Sequence, residues 1–175
     1  MSTAGSELLG KVAEMRRQFD ESFARPRPHH LPAGESMLAI VVRGEPFAVR
    51  LAETAGLAAL EGKILPVPSE AKELLGLIGH RGTVVPVFSL AALLGYSSGT
   101  AAPHWLLFCR GPAPLGLAFE QLERQFSANP AEVCTVEGSR TQAYIQQTVQ
   151  DGARLRIIIR LDALAEHIQR RPTGR

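Results

Sequence analysis

The sequence predicts a mainly β protein made of two similar β-units packed flank to flank, with one amphipathic helix ahead of them. Three observations carry this. From Met37 onward the apolar residues fall in short Leu-, Ile- or Val-rich runs bounded by Gly or Pro, which is strand punctuation. The order of those runs occurs twice along the chain. The length of 175 residues, 45% of them hydrophobic, suits one domain or two small subdomains with a shared core, and rules out a large multidomain enzyme.

Residues 7–24 read as a helix. Leu8, Val12, Met15, Phe19 and Phe23 recur at steps of four, three, four and four, so they share one face, and Ser6 suits the N-cap. The next stretch carries Pro26, Pro28 and Pro32, which cannot continue a helix and forms an extended linker. A lone helix of this length is marginal in water. Its apolar face is therefore expected to dock, and the Pro-rich linker favours docking on a partner over packing on its own barrels.

Met37–Val42 and Phe47–Val49 flank Arg43-Gly44-Glu45-Pro46 and read as a hairpin. Ile64–Val67, Leu74–Ile78 and Thr83–Phe88 follow as further strands, and Leu90–Leu94 as a helical turn closed by Gly95. In the second half, Leu107-Phe108-Cys109-Arg110-Gly111 matches Ile40-Val41-Val42-Arg43-Gly44. Leu115-Gly116-Leu117 echoes Phe47-Ala48-Val49, and Ile157–Leu164 echoes Pro86–Leu93. Such a repeat implies two similar β-units. A flat sheet of about five strands leaves its edges open, so each unit is expected to curl into a barrel.

The chemistry-bearing residues are sparse. No GxSxG, HExxH, Walker loop or CxxC pair is present. Gly79-His80-Arg81-Gly82 matches the GXXG string of KH modules, but it lies between two β-like runs and reads as a turn. His80, His104 and His167 are far apart, and His29-His30 lie in the linker, so no metal or cofactor site is expected. Two Cys make no disulfide framework; Cys109 sits in the apolar run Trp105–Cys109 and reads as core. No signal peptide and no apolar run of about 20 residues is evident, so a cytoplasmic protein without membrane insertion is expected. Six Arg against Asp162 and Glu166 in residues 154–175 read as a solvated helix end. A small basic β-barrel that binds nucleic acid is the alternative; it requires aromatics on one barrel face, whereas Trp105, Phe108, Phe119 and Phe126 sit mostly in apolar runs. A binding module fits better than an enzyme.

Ile64-Leu65-Pro66-Val67-Pro68, followed by Leu75-Gly76-Leu77-Ile78-Gly79-His80-Arg81-Gly82-Thr83-Val84-Val85-Pro86-Val87, resembles the CheW-like domain of bacterial chemotaxis. That family shows a Pro-Val-Pro run, a helix, then Gly-(Val/Leu)-Ile-Asn-Leu-Arg-Gly-x-(Val/Ile)-Val-Pro-Val. Gly116–Leu122 and Tyr144-Ile145 extend the likeness, which covers about Met37 to Ile168.

The resemblance implies two intertwined five-stranded SH3-like barrels around a shared core, in a domain over 37–170 whose second barrel starts near 104. Residues 1–36 then form the helix and linker, and 171–175 a tail. It implies a non-catalytic adaptor between methyl-accepting chemoreceptors and the regulatory domain of a CheA-type histidine kinase, with other CheW-like proteins as further partners and no nucleic acid. By position it nominates Ala55, Leu57, Ala58, Gly76, His80, Arg81 and Gly82 for partner contact. Leu57 replaces the acidic residue of the family's Val-x-Glu-Val helix-start motif, with Ala55 and Ala58 in place of its valines. Gly79-His80 replaces Asn-Leu, Ser89 an Asp, and Gln147 a Gly. These departures imply a divergent member with altered partner choice, serving a motility or developmental pathway.

Overall fold

The first apolar run does form a strand. β1 (Glu35–Val42) turns tightly through Arg43 and Gly44 into β2 (Glu45–Arg50). Both turn residues have positive φ, 55° and 82°, as a two-residue hairpin turn matched to strand twist requires. The computed structural model describes residues 34–97, 102–135, 144–145 and 147–170. The expected N-terminal helix, with Leu8, Val12, Met15, Phe19 and Phe23, lies outside them, as do His29, His30 and the 171–175 tail.

After a short 3-10 turn come β3 (Thr54–Ala59), β4 (Leu74–His80), β5 (Thr83–Ser89) and helix α1 (Leu90–Leu93). The second half supplies β6 (Trp105–Cys109), β7 (Leu115–Phe119), β8 (Gln121–Ala128), β9 (Val133–Thr135), β10 (Gln147–Asp151), β11 (Arg154–Ile159) and helix α2 (Leu161–Arg170). Ser89 caps α1 by accepting from the Ala92 N–H, so it does the work for which an Asp is also suited.

The strands form two sheets, ordered β8-β1-β2-β11-β10-β9 and β3-β6-β7-β5-β4. The mainly β class and the pair of sheets are as expected, except that the first sheet has six strands. The sixth is the three-residue β9 at its edge. The sheets do not divide at residue 104. The first hairpin, β1–β2, joins the C-terminal strands, and the second, β6–β7, joins β3, β4 and β5. Two parallel pairings make the exchange: β2 with β11, Phe47 opposite Ile157, and β7 with β5, Leu117 opposite Phe88. The sequence repeat is real, but each hairpin lies in the sheet of the other half.

Three apolar clusters follow from strand alternation. Leu38, Ile40, Val42, Phe47 and Val49 of the first sheet meet Leu107, Leu115, Leu117 and Phe119 of the second, with Leu90, Leu93, Leu161 and Leu164 of the helices. This is the core shared by the sheets. Met37, Ala48, Val149 and Ile158 fill the inner face of the first sheet, and Val85, Val87, Leu106, Phe108 and Ala118 that of the second. β7 is buried along its whole length, with large Leu115, Leu117 and Phe119 on the shared side and small Gly116 and Ala118 on the other.

Two expectations need correction. Ile64–Val67 is not a strand: it makes one bridge, Leu65 with Leu77, because Pro66 and Pro68 lack the N–H that a ladder needs. The stretch from Ala55 to Ala58 is not a helix start but the body of β3, hydrogen-bonded to β6.

Candidate functional site

The sequence-nominated residues divide into two groups. Gly76, Leu57 and Ala58 serve packing. Gly76 is buried with φ 144°, and a Cβ there would lie 2.2 Å from the Leu65 carbonyl oxygen. Its missing side chain lets the 64–68 segment close onto β4. Leu57 packs on the shared core, and Ala58 on the inner cluster of the second sheet.

Ala55, His80, Arg81 and Gly82 gather at one end of the second sheet. His80 closes β4 and Thr83 opens β5, so Arg81 and Gly82 are the two turn residues, with φ 48° and 79°. The Thr83 hydroxyl donates to the His80 carbonyl at 2.8 Å and pins the turn. The His80 ring stacks on Phe108 of β6, centroids 3.8 Å apart and 22° from parallel. Ala55 is the residue at which the β3–β6 register shifts, and such a bulge turns the strand edge outward.

Ala55, His80 and Arg81 line an open groove of about 400 Å³. Val85, Phe108 and Leu115 give it apolar walls, Pro112 and Pro114 a stiff loop, and Arg81 and Arg110 two cations. Arg110 is tied back, its guanidinium donating to the Thr54 carbonyl at 3.3 and 3.4 Å. Arg81 is exposed and, among the described residues, makes no hydrogen bond or ion pair. Arg43, in the equivalent turn of β1–β2, donates to the Ser97 carbonyl at 3.0 Å. The two Arg-Gly turns have the same backbone, yet only the Arg81 side chain is left for an outside group.

A model of the CheW-like domain family matches residues 36–169. The chain belongs to the CheW-like domain family. Among solved structures, it is similar to the scaffolding protein TtCheW from Thermoanaerobacter tengcongensis. The TM-score is 0.69 and the identity 14%, over 75% of this chain and 92% of that one. That likeness is one of fold. The comparison with curated proteins finds no match. The match spans both sheets, so the groove at the 80–83 turn belongs to the CheW-like domain itself.

Sequence reasoning missed two charged features of this domain. Glu53 accepts the Leu161 N–H at the start of α2 at 2.6 Å. Burial raises its pKa above the ordinary carboxylate value, against the opposing pull of that hydrogen bond and of Arg50. The other is a cluster of Glu123, Arg124, Asp151, Arg154 and Arg156 at the open end of the first sheet. It accounts for two of the six arginines in the Arg-rich C-terminal stretch. Arg154 and Arg156 pair within the cluster, Arg160 with Asp162 at 2.7 Å, and Arg170 with Glu166 at 2.9 Å. Among the described residues no group of three or more His, Cys, Asp and Glu could hold a metal ion, and no helix is long and apolar enough to cross a membrane.

Proposed function

We propose that this chain is a non-catalytic signalling adaptor coupling methyl-accepting chemoreceptors to a CheA-type histidine kinase, with the groove at the 80–83 turn as a docking face. The observation that carries the site is Arg81. A non-glycine residue at positive φ is held against its own preference, here with its guanidinium exposed beside an apolar groove and without a hydrogen-bond or ion-pair partner among the described residues. Such a group suits a partner carboxylate or carbonyl, which it binds through a rigid fork of donors. The family membership supports the adaptor role. A cytoplasmic position at receptor arrays goes with that reading.

The nucleic-acid alternative gains nothing. Every described aromatic is at least partly buried, and four of the six C-terminal arginines already face carboxylates.

The test is calorimetric titration of the full chain with a CheA-type regulatory domain and with a receptor tip, wild type against Arg81→Glu. Both residues suffer the same turn strain, so the fold is expected to hold, checked by an unchanged Tm. Reversing an interfacial charge should weaken binding by about tenfold to a few hundredfold. Equal affinity of the two proteins removes Arg81 from the interface. Failure of the wild type to bind either partner overturns the adaptor reading.

A further inference from the structure

The charged cluster on the first sheet is unbalanced, and its imbalance faces a groove. Asp151 accepts from Arg124 and from Arg156, the latter at 2.7 Å. Glu123 accepts from Arg154 at 3.1 Å and from Arg156. Three guanidinium groups thus share two carboxylates, leaving one positive charge over. Arg156 is the central member and only 2% exposed. Its Nη1 is buried with no acceptor among the described residues. A buried charged donor left unmatched is costly, on the order of 1–3 kcal/mol or more, and native structures rarely tolerate one without a reason.

The geometry around it is receptive. Glu123 lies at the register shift between β8 and β1, where Ala39 faces Arg124 and Ile40 faces Leu122. The shift places Glu123 and Arg124 side by side at the mouth. Arg156 stands on β11 directly opposite Val149 of β10, whose side chain lies in the inner cluster. Its long side chain therefore reaches the mouth from inside the sheet. An open groove runs over the cluster, lined by Arg124, Asp151, Gly152, Arg154 and Arg156. Arg124 and Arg154 are 54% and 65% exposed along their side chains. Each spends one terminal nitrogen on its carboxylate, so further N–H donors remain to face the groove. Arg124 also lies over the Phe126 ring, 5.4 Å from its centroid, which helps to hold its plane.

We propose that this groove is an oxyanion site, taking one carboxylate or phosphate group between Arg124 and Arg154, above Arg156. The excess positive charge selects for an anion, and the two planar forks suit the paired oxygens of such groups. The same chemistry can come from a free anion or from an acidic side chain of a docked protein.

The experiment uses the full chain at constant ionic strength, following the Nε–H resonances of its arginines by NMR together with Tm. The probes are inorganic phosphate, acetate, a blocked glutamate peptide and its glutamine counterpart. Saturable shifts of the Arg154 and Arg156 signals are expected. So is a Tm rise of roughly 3–6 °C at ten times Kd. The Arg156 shift and the Tm rise should both be lost in Arg154→Gln, a change at an exposed position that spares the Arg156–Asp151 pair. Saturation by phosphate or acetate identifies a free anion as sufficient. Saturation by the glutamate peptide alone, with the glutamine peptide inert, identifies a protein side chain. No saturation by any of them, or equal shifts in Arg154→Gln, overturns the site.

Discussion

Gly76→Ala isolates the packing role of a residue that the sequence places in a partner-contact motif. A Cβ at Gly76 would lie 2.2 Å from the Leu65 carbonyl oxygen, 2.7 Å from its carbonyl carbon and 2.9 Å from Ile64 Cγ2. Two of these atoms are backbone, so no rotamer change relieves the clash. The φ of 144° adds conformational strain of about 1–3 kcal/mol for an L side chain. The 64–68 segment must withdraw, which breaks both hydrogen bonds between Leu65 and Leu77, each 2.8 Å. They contribute about 0.5–1.5 kcal/mol apiece, so the total cost is about 2–6 kcal/mol. In a chain of this size that lowers Tm by roughly 5–20 °C. Thermal unfolding followed by circular dichroism reads the shift, and hydrogen exchange at the Leu65 and Leu77 amides localises it. Gly79→Ala, on the same strand with nothing within 4 Å of its Cβ position, is the control and should be close to neutral. A Gly76→Ala protein that melts within 2 °C of wild type, with both amides still protected, refutes the reasoning.

Two further outcomes follow from buried groups. Since burial raises Glu53 in the native state, the folded chain binds that proton more tightly than the unfolded one. Stability should therefore fall as pH climbs from the ordinary carboxylate value through the raised native one. Glu53→Gln keeps an acceptor for the Leu161 N–H and should remove this fall, read as a urea midpoint that gains on wild type towards neutral pH; a constant difference across that window contradicts it. Burial, aided by the Glu53 charge, pushes the Cys109 thiol up to about 12, whereas Cys134 is exposed. Iodoacetamide at pH 8 should then alkylate Cys134 in the native protein and Cys109 only after denaturation, which mass spectrometry distinguishes.

Local pattern was enough for much of this fold. Hairpin β1–β2, strands β4 and β5, the helical turn sealed by Gly95 and the core placement of Cys109 all follow from apolar spacing and turn chemistry. The misses have a common cause. β3 is Thr-Ala-Gly-Leu-Ala-Ala and β8 is Gln-Leu-Glu-Arg-Gln-Phe-Ser-Ala, both rich in residues with poor β-propensity. Each becomes a strand because a neighbour, β6 or β1, offers it a ladder, and tertiary pairing outweighs local preference. The site was legible in part for the same reason. The Arg81-Gly82 turn is local, so its residues could be named in advance. That Arg81 pairs with none of the described residues while Arg110 is tied back depends on contacts across the sheet. The charged cluster joins β8, β10 and β11, and nothing in residues 121–124 announces that Arg154 and Arg156 come to them.

The exchange of hairpins has a consequence for folding that the repeat alone would not suggest. Two consecutive barrels could each fold by itself, but here neither half of the chain contains a complete sheet. Without residues 104–170, β1–β2 stands as a lone hairpin, which is at best marginal in water, and β3 loses its ladder partner because β6 and β7 lie between it and β5. The shared core loses Leu107, Leu115, Leu117 and Phe119 along with Leu161 and Leu164. A fragment of residues 37–103 is therefore expected to show no cooperative thermal transition, and likewise 104–170. Mixed at equal concentration, the two should recover strand signal and a single transition. A transition in either fragment alone would mean that one half holds a self-sufficient core, and the parallel pairs β2–β11 and β5–β7 would then be a late docking contact instead of the seam on which both sheets depend.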